Sequence, residues 1–489
     1  MIVLDGATLT TADVAAIALT GEQVELAPEA RARNAAAREA IAAHLDRGAP
    51  LYGASTGVGA LRDQQISDAE REGLQWNLLR SHAVSAGPPV PRAIVRAGMV
   101  VRANQLGAGG AGVAPELLDA LVDAINAGIV PVTRELGSLG TGDLPALADV
   151  ALALLGEGWV WGADGTVVPG DPPARTISLG LRDALGFMSS NAVTAGHAAL
   201  ISVDWQALQA RWLTVAALSF EALGADPVVL DPRVQAARGV PGQAAVAETM
   251  RQLLAGADLD ARAPDRVVQD PYPFRVLPQV DGVTFDARAA LDEVVAREIN
   301  ARAENALIER GAVLPNGNFY AAALAASLDS GRAALAESAS LIAARVSALL
   351  DPRMTGLSPF LAGRPGLDSG VMMLEYTAHA AAVEARSLVT PMAAQSASAA
   401  LGVESHASLA ETAARHTDRV IEAIRVLVAT ELVVAVRALT MAGREPAGAG
   451  TSALFETMRD GLGSEVEDRR FGVDVEFATL LLSGWSPPT

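Results

Sequence analysis

Polar side chains that could perform chemistry gather in a few stretches of this 489-residue chain. Five stretches combine Tyr, Asn, Gln, Arg, Thr or His with glycines or prolines or lie close to them, and they span residues 52–59, 74–82, 137–144, 269–279 and 317–320. The chain has four tyrosines, and three of them, Tyr52, Tyr272 and Tyr320, lie in these stretches. Packing alone favours tyrosines on helices with buried rings, so this distribution indicates a functional site.

One of the stretches, Ser138-Leu-Gly140-Thr141-Gly142-Asp143, places two glycines around a single hydroxyl residue and an acid directly behind. Either this is a flexible turn, or the backbone itself reacts. The residues that follow are typical of a helix start, with Asp143 as the N-cap and Pro145 in the first turn. The stretch is therefore predicted to end at the first turn of a helix.

A series of motifs resembles, in order and over nearly the whole chain, the histidine and aromatic amino acid ammonia-lyases and aminomutases. The QDPYxxR motif followed by PQV and the GNF tripeptide are the most specific of them. The motifs are LDGATLTTADV, LYGASTGVG, LQWNLLRSH, RANQLGAGGAGV, GSLGTGDLPALADVALALLGEG, FMSSNA, QDPYPFR, EINARAENALI, NGNFY, GLDSG and VESHAS.

The resemblance implies a mainly helical homotetramer whose active sites combine loops from three subunits. Such enzymes eliminate ammonia from an aromatic amino acid and leave an α,β-unsaturated acid. Their electrophile, methylidene-imidazolone, forms from an Ala-Ser-Gly tripeptide when the glycine nitrogen attacks the alanine carbonyl and two waters leave. Glycine is needed there because a side chain would obstruct the approaching nitrogen.

This chain departs from the family at that tripeptide, because Gly140-Thr141-Gly142 stands where the family has Ala-Ser-Gly. Three interpretations follow. Thr141 could cyclise and dehydrate as serine does, which would give an ethylidene whose extra methyl group makes it more hindered. Alternatively, the loop stays an ordinary peptide and the site performs acid/base chemistry without the electrophile. In the third interpretation the scaffold is kept for ligand binding alone.

The resemblance also assigns catalytic roles. Tyr52 is implied to be the general base that removes the β-proton, which requires hydrogen-bond donors or positive charge to stabilise its phenolate. Tyr272 and Asn191 are implied to lie near the electrophile and the amino group. Arg275 is implied to hold the substrate carboxylate as a bidentate fork. The alternative for Arg275 is a structural ion pair, with Asp270 as the candidate partner.

Other residues are implied to line the substrate pocket and to select the ring. Gln269 and Phe319 line it by resemblance. Ser81 and His82 resemble the pair found in the histidine enzymes, and Glu404 resembles an acid that accepts a hydrogen bond from an imidazole N–H. A glutamate before a helix can also serve only the helix dipole. Together these positions favour histidine or another polar, nitrogen-bearing ring.

Composition excludes several other classes of function. The net charge of −19 argues against nucleic acid binding, which depends on basic residues that neutralise phosphates. The chain has no Lys and no Cys, so lysine Schiff bases, Walker-type phosphate loops, disulfides and thiol nucleophiles are excluded. The histidines show no paired metal-ligand spacing, so we predict no metal site; they lie at positions 44, 82, 197, 379, 406 and 416.

The chain shows neither a signal peptide nor a membrane span by sequence criteria. Its amino terminus has no basic region before its apolar residues, and the longest apolar candidate, VLVATELVVAV, is interrupted by Glu431. We therefore expect a cytoplasmic protein with a small-molecule substrate and no membrane partner.

The elements that must position these residues are mostly helices. Apolar residues recur three and four apart, which predicts a mainly α fold, namely a long antiparallel helical bundle that is fumarase/aspartase-like by resemblance. We expect an N-terminal region with the active-site loops over 1–190 and the long-helix bundle with a C-terminal tail over 191–489. Strands are predicted only at Met1–Leu4 and as a hairpin over 159–170. The predicted helices span 29–46, 91–106, 115–128, 143–156, 196–221, 287–310, 321–350, 371–389 and 405–442.

Overall fold

The structure is a computed structural model that describes residues 1–171, 176–259, 269–463 and 466–485. Helices dominate it, which confirms the mainly α class. The chain divides into two compact units, each made of separate segments. The first comprises Met1–Val203, Leu291–Leu328 and Pro391–Arg415, and the second comprises Asp204–Ala290, Asp329–Thr390 and His416–Thr489.

The first unit contains shorter helices joined by loops. Proline begins several helices of the chain, where its missing N–H costs no hydrogen bond. The first unit's own helices are Thr11–Ala15, Pro28–Asp46, Arg71–His82, Arg92–Gly107, Pro115–Ala127, Leu144–Leu154 and Asp183–Met188. Its 3₁₀ turns are Gly59–Leu61, Asp68–Glu70 and Ala400–Gly402, and a π-helical turn covers Ala16–Thr20.

Four of the five boundaries between segments of the two units lie within long helices, namely Ala192–Leu223, Leu277–Glu298, Ala322–Leu350 and Ala410–Ala442. The last has neither Gly nor Pro until Gly443, which follows it with a φ of +61°. The second unit's own helices are Pro232–Arg238, Pro241–Leu253, Tyr272–Arg275, Pro352–Thr355, Met372–Ser387, Ser452–Leu462 and Phe471–Gly484. Short 3₁₀ turns cover Pro227–Leu230 and Pro359–Leu361.

Strands form only two-stranded pairs within the described residues. Ile2–Leu4 pairs in parallel with Val24–Leu26, with Ile2 opposite Val24. The other three pairs are antiparallel: Ala86–Pro89 with Arg134–Leu136, Trp159–Trp161 with Val167–Pro169, and Leu307–Glu309 with Ala312–Leu314. The predicted amino-terminal strand and the predicted 159–170 hairpin are therefore confirmed.

The predicted helix over 287–310 is wrong beyond Glu298. That helix runs from Leu277 to Glu298, and residues 307–314 form a hairpin instead. Its end is fixed by Asn300, whose side-chain amide accepts a hydrogen bond from the Leu9 N–H at 3.0 Å and donates to the Leu9 carbonyl at 2.8 Å. A tertiary contact thus overrides the helix propensity of this Ala- and Arg-rich segment.

A close helix crossing in the first unit positions the functional loops. Helix Arg92–Gly107 is buried almost throughout and crosses the start of helix Ala192–Leu223 at two glycines. A Cβ on Gly98 would lie 2.8 Å from the Val193 Cα, and one on Gly196 would lie 2.6 Å from the Ala97 carbonyl carbon. The two backbones therefore pack closely, directly beyond Asn191.

One helix, Ala322–Leu350, is long and apolar enough to cross a membrane by composition alone. Within its most apolar window, 61% of the residues are buried inside the protein. A core helix of a helical bundle meets the same criterion, so this helix is accounted for by packing.

Candidate active site

A cavity of about 500 Å³ lies within the first unit. Loops that are far apart in sequence supply its walls, and four of the residues that the motifs singled out, Tyr52, Thr141, Phe319 and Glu404, line it together. The full lining is Tyr52, Gly59, Arg62, Thr141, Leu144, Leu185, Ser189, Asn305, Pro315, Phe319, Tyr320, Val403, Glu404, Ser405 and His406.

Tyr52 is held in a tight loop on one wall of the cavity. Its hydroxyl oxygen accepts a hydrogen bond from the Gly59 N–H at 2.7 Å. The buried Gln75 side chain donates to the Gly53 carbonyl at 3.1 Å, and Gly53 itself has a φ of +74°. A Cβ on Gly53 would lie 2.5 Å from a methyl carbon of Leu185, so glycine is required where the loop turns. The Gly59 N–H thus holds the Tyr52 hydroxyl in place within the loop.

The Gly140-Thr141-Gly142 loop is anchored by hydrogen bonds at both ends. The Asp143 N–H donates to the Ser190 carbonyl at 2.7 Å. The Asp143 carboxylate accepts from the Thr194 hydroxyl and the Thr194 N–H, both at 2.8 Å, and from the Ser138 hydroxyl at 3.0 Å. Asp143 stands at the N-cap position, but its side chain makes no capping bond to the helix, which corrects that part of the prediction.

The side chain of Asp143 is buried among these donors. Burial raises the pKa of its carboxyl group, and the hydrogen bonds from Thr194 and Ser138 oppose that rise. The acid therefore serves to tie the loop to the start of helix Ala192–Leu223.

The two backbone groups that would join in a cyclisation each have a polar partner. The Gly142 N–H donates to the Asn191 Oδ1 at 3.1 Å, and the Gly140 carbonyl accepts from the Ser408 hydroxyl at 2.7 Å. The Asn191 Nδ2 in turn donates to the Phe319 carbonyl at 2.5 Å. A donor on the carbonyl oxygen makes its carbon more electrophilic, so these residues fit the formation of an imidazolone-type group.

Gly140 could not be alanine in this conformation. Its φ is +78°, and a Cβ there would meet the Ser408 hydroxyl and lie 2.8 Å from the backbone nitrogens of Leu409 and Ala410. L-residues with a Cβ rarely adopt that φ. The loop as folded therefore depends on glycine at position 140.

The opposite wall combines an acid with two stacked rings. Glu404 lines the cavity beside His406, whose ring lies parallel to the Tyr320 ring with centroids 5.7 Å apart and an interplanar angle of 4°. The Ser396 hydroxyl lies 2.9 Å from the His406 Nδ1 and also accepts from the Ala407 N–H, which fixes the histidine ring. This wall offers hydrogen-bonding groups and a flat surface to a planar polar ring.

Ser81 and His82 do not line this cavity. They end helix Arg71–His82, where the His82 Nδ1 donates to the Leu78 carbonyl at 2.7 Å. The Ser81 hydroxyl also hydrogen-bonds the Leu78 carbonyl, at 3.2 Å. The histidine ring is thus engaged by its own helix.

Gln269, Tyr272 and Arg275 belong to the second unit, where they contact one another. An Arg275 Nη1 donates to the Gln269 side-chain oxygen at 2.5 Å, and the guanidinium lies 4.9 Å from the centre of the Tyr272 ring. The Asp270 carboxylate accepts instead from the Asp226 N–H at 2.6 Å. Within the described part of the chain Arg275 makes no ion pair, so the predicted alternative partner is not used.

Two site residues were not found by sequence reasoning. Arg62 lines the cavity and donates to the Gly59 carbonyl at 3.3 Å. Arg182 lies behind the wall and donates to the Tyr52 carbonyl at 3.1 Å. The sequence feature that could have identified Arg182 is the charged pair Arg182-Asp183 inside the apolar run from Ile177 to Met188. Among the described residues, no cluster of His, Asp and Glu could hold a metal ion.

Comparison with known proteins gives one consistent result. Residues 9–460 match the family model of the aromatic amino acid lyases. A histidine ammonia-lyase of Geobacillus thermodenitrificans is 37% identical over 489 aligned residues, which cover 97% of this chain and 96% of that protein.

Two solved structures superpose closely, each at 28% identity, 99% coverage of this chain and a TM-score of 0.93. They are the ergothioneine-degrading enzyme ergothionase of Treponema denticola, covered over 98% of its length, and the tyrosine aminomutase of Streptomyces globisporus, covered over 96%.

Proposed function

We propose that this chain, which belongs to the aromatic amino acid lyase family, eliminates ammonia from histidine or from an amino acid with a similarly polar ring. The observation that carries the proposal is that Tyr52, Thr141, Glu404 and Phe319 all line one cavity. A base, the candidate electrophile segment and a ring-binding acid thus face one volume large enough for an amino acid.

Tyr52 is the proposed base. With its oxygen held by the Gly59 N–H, the phenolate takes the β-proton of the substrate. Glu404 accepts a hydrogen bond from a ring N–H, and the stacked pair of Tyr320 and His406 packs against the ring plane. Asn191 accepts a hydrogen bond from the Gly142 N–H and donates one to the Phe319 carbonyl, so it holds these two segments together.

The substrate carboxylate is assigned to Arg275 from a second copy of the chain, with Gln269 and Tyr272 beside it, as family resemblance implies for a homotetramer. The absence of an ion pair to Arg275 among the described residues supports this role, because its guanidinium charge is left for a ligand. We also propose that the protein is cytoplasmic.

The chain's Gly140-Thr141-Gly142 segment is the proposed source of the electrophile. Such a group, once formed, supplies an electron-poor double bond that activates the substrate amine or ring. Ser408 and Asn191 are the residues that would hold its backbone atoms. Thr141 would contribute its side-chain carbon from the cavity wall.

Mass spectrometry and an amino acid panel test the proposal. We expect a deficit of two waters in the intact mass, localised by peptide mapping to residues 138–144, and release of an α,β-unsaturated acid from histidine. The panel includes ergothioneine, the compound that the similar Treponema denticola enzyme degrades. If no amino acid in the panel is turned over by the modified protein, the proposed reaction is wrong.

Tyr52→Phe is the decisive variant. Losing the base should lower turnover by about 10²–10⁴-fold, because the β-proton then has no acceptor. Tyr376→Phe is the matched control, since Tyr376 is 62% exposed on helix Met372–Ser387 and lies outside the cavity lining. We expect substrate binding to survive in both variants, measured by thermal shift; unchanged turnover in Tyr52→Phe would contradict the assignment.

An elimination without the electrophile is the second candidate. It is favoured by one observation: as an ordinary peptide the loop already has hydrogen-bond partners for the Gly142 N–H, the Gly140 carbonyl and the Asp143 N–H. An unmodified mass together with Tyr52-dependent turnover would select this candidate. An unmodified mass with ligand binding and no turnover would select a binding protein.

A further inference from the structure

Arg182 is a buried guanidinium that joins two walls of the cavity. Only 1% of its surface is exposed. Its Nε donates to the Tyr52 carbonyl at 3.1 Å, and its two terminal nitrogens donate to the carbonyls of Ala306, at 3.4 Å, and Asn305. One side chain thus fixes the backbone of the Tyr52 loop to the 305–306 segment.

Both of those segments contribute to the cavity, since Tyr52 and Asn305 line it. The Asp183 carboxylate that follows accepts from the Arg38 guanidinium at 2.6 Å and from the Ala114 N–H at 2.7 Å. The next N–H, that of Ala184, donates to the side-chain oxygen of Gln75 at 3.0 Å. The 182–184 segment is therefore itself hydrogen-bonded to the surrounding helices.

The positive charge of Arg182 has no carboxylate partner among the described residues. Glu304, an acid that acts on Arg182 electrostatically, makes its ion pair with Arg102 at 3.1 Å, and both side chains of that pair are fully buried. Burial lowers the pKa of Arg182 to about 10, while Glu304 and the ionised Tyr52 oppose that change. The guanidinium of Arg182 and the phenol of Tyr52 are therefore close enough to interact electrostatically.

Within the described residues, few other charged groups lie near Arg182 and Tyr52. Arg102 and Glu304 act on Arg182, and the titratable or charged residues that share the cavity with Tyr52 are Arg62, Tyr320, Glu404 and His406. Of these, the arginine at 62 is exposed, whereas Arg182 is desolvated, and a desolvated charge acts more strongly.

We propose that Arg182 is a positioning residue for the reaction, which aligns the Tyr52 loop with the 305–306 wall and supplies the buried positive charge that favours the Tyr52 phenolate. The inference rests on the proposed role of Tyr52 as base. It assigns to a residue outside the substrate cavity two separable effects, one of geometry and one of charge.

The charge effect is tested by spectrophotometric titration of the full-length protein, which needs no turnover. The near-ultraviolet phenolate absorbance of Tyr52 is obtained as the difference between the parent and Tyr52→Phe, and again in the Arg182→Gln background. We expect the step that belongs to Tyr52 to move to higher pH in Arg182→Gln. A step at the same pH in both backgrounds overturns the charge effect, whether or not the proposed reaction is correct.

The geometric effect is tested by Arg182→Lys, which keeps the charge but loses the planar fork. We expect the Tyr52 titration step to stay near its parent position while kcat falls by about 10²-fold with little change in KM, as a small misplacement of the base would cause. Parent kcat in Arg182→Lys overturns this part. This variant also keeps the proposal testable if Arg182→Gln does not fold.

Arg437→Gln is the matched control. Arg437 is 7% exposed in the second unit and donates to two loop carbonyls, those of Leu361 at 2.9 Å and Val466 at 2.5 Å. It resembles Arg182 in burial and bonding but does not touch Tyr52. We expect it to lower thermal stability while leaving the Tyr52 titration step and kcat per folded molecule unchanged. Equal changes of the titration step in both variants would make Arg182 merely structural.

Discussion

The cavity wall around Arg182 and the helix core around Arg345 bury guanidinium groups in opposite ways. Arg182, in the first unit, donates to three backbone carbonyls and makes no ion pair among the described residues. Arg345, in the second unit, donates to both oxygens of Glu431 at 2.7 and 2.9 Å, and both of these side chains are fully buried.

The difference follows from the backbone that surrounds each arginine. Carbonyl groups inside a helix already accept the N–H four residues ahead, so a buried arginine between helices needs an acid. Carbonyl groups in loops lack such partners and can take a guanidinium fork instead. Arg437 follows the same rule in the second unit, where it meets loop residues and donates to their carbonyls.

The comparison assigns different consequences to the two kinds of buried charge. An arginine paired with an acid is neutralised and mainly ties helices together, so its loss should be felt in stability. An arginine bound to the carbonyls of the cavity loops, as Arg182 is, keeps a net charge beside those loops, so its loss should be felt in the chemistry. Arg437 binds loop carbonyls away from the cavity, so its loss should be felt in stability alone.

The largest expected effect is on stability, from Arg345→Met. Removing the cation leaves Glu431 buried without its partner, beside the acid Asp281, and we expect a loss of about 3–5 kcal/mol in the free energy of unfolding. Activity per folded molecule should be unchanged. Denaturant unfolding and turnover of the remaining folded protein measure the two quantities.

The double variant Arg345→Met with Glu431→Leu is the control for Arg345→Met. Replacing both members of a buried pair by apolar residues is often close to neutral, so most of the lost stability should return. If the single variant instead lost activity before stability, the proposed division between the two regions would fail.

A smaller effect is expected from Gly140→Ala, which introduces the alanine that the family resemblance implies at this position. The Cβ would meet the Ser408 hydroxyl in a backbone with a φ of +78°, so we expect a loss of about 1–3 kcal/mol together with displaced Thr141 and reduced turnover. Thermal unfolding and the intact mass report these outcomes.

Gly165→Ala separates backbone strain from steric conflict. Gly165 has a nearly equal φ of +81°, in the loop of the Trp159–Trp161 hairpin, but no atom lies within 4 Å of the Cβ position. It should cost less stability than Gly140→Ala and leave turnover unchanged. Equal costs at both positions would show that the Ser408 contact is unimportant.

The sequence allowed many of the helices and four of the cavity residues to be predicted, because these depend on local patterns and motifs. Helix Ala322–Leu350 agrees with the predicted 321–350, and the motifs pointed to Tyr52, Thr141 and Phe319, which line one cavity. The roles given to these residues stay predictions, as does the division of the chain at residue 190.

Contacts between distant residues could not be predicted in the same way. The end of a helix at Glu298 depends on Asn300 binding Leu9, which lies 291 residues away. The partners of Arg182 lie more than 120 residues from it in both directions. Neither periodicity nor motif spacing identifies such distant pairs. An arginine within an apolar run therefore indicated that its side chain is buried, but not which groups it would hydrogen-bond.

The smallest expected effect concerns the pH dependence of stability and compares one buried acid in each unit. Burial raises the pKa of Asp149 in the first unit and of Asp281 in the second to about 6, from an ordinary 3.8. The folded protein therefore holds more protons than the unfolded chain between about pH 4 and pH 6. Each acid should add stability as the pH falls through 6, by about 1 kcal/mol between pH 7 and pH 5.

Asp149→Asn and Asp281→Asn should each remove part of that pH dependence, as measured by thermal unfolding across this range. The asparagine at 281 can still accept the bond that the Ser338 hydroxyl donates at 2.6 Å, so the variant changes the charge and little else. At pH 7 it should be as stable as the parent or more stable, because a buried charge is removed. The exposed Asp164 is the control: the Thr166 hydroxyl lowers its pKa from an ordinary 3.8, so it stays ionised in this range and Asp164→Asn should leave the dependence unchanged. Since Asp281 lies beside the Arg345–Glu431 pair, a larger change there than at Asp149 would show that the helix core, more than the loop-bearing unit, sets the response to acid.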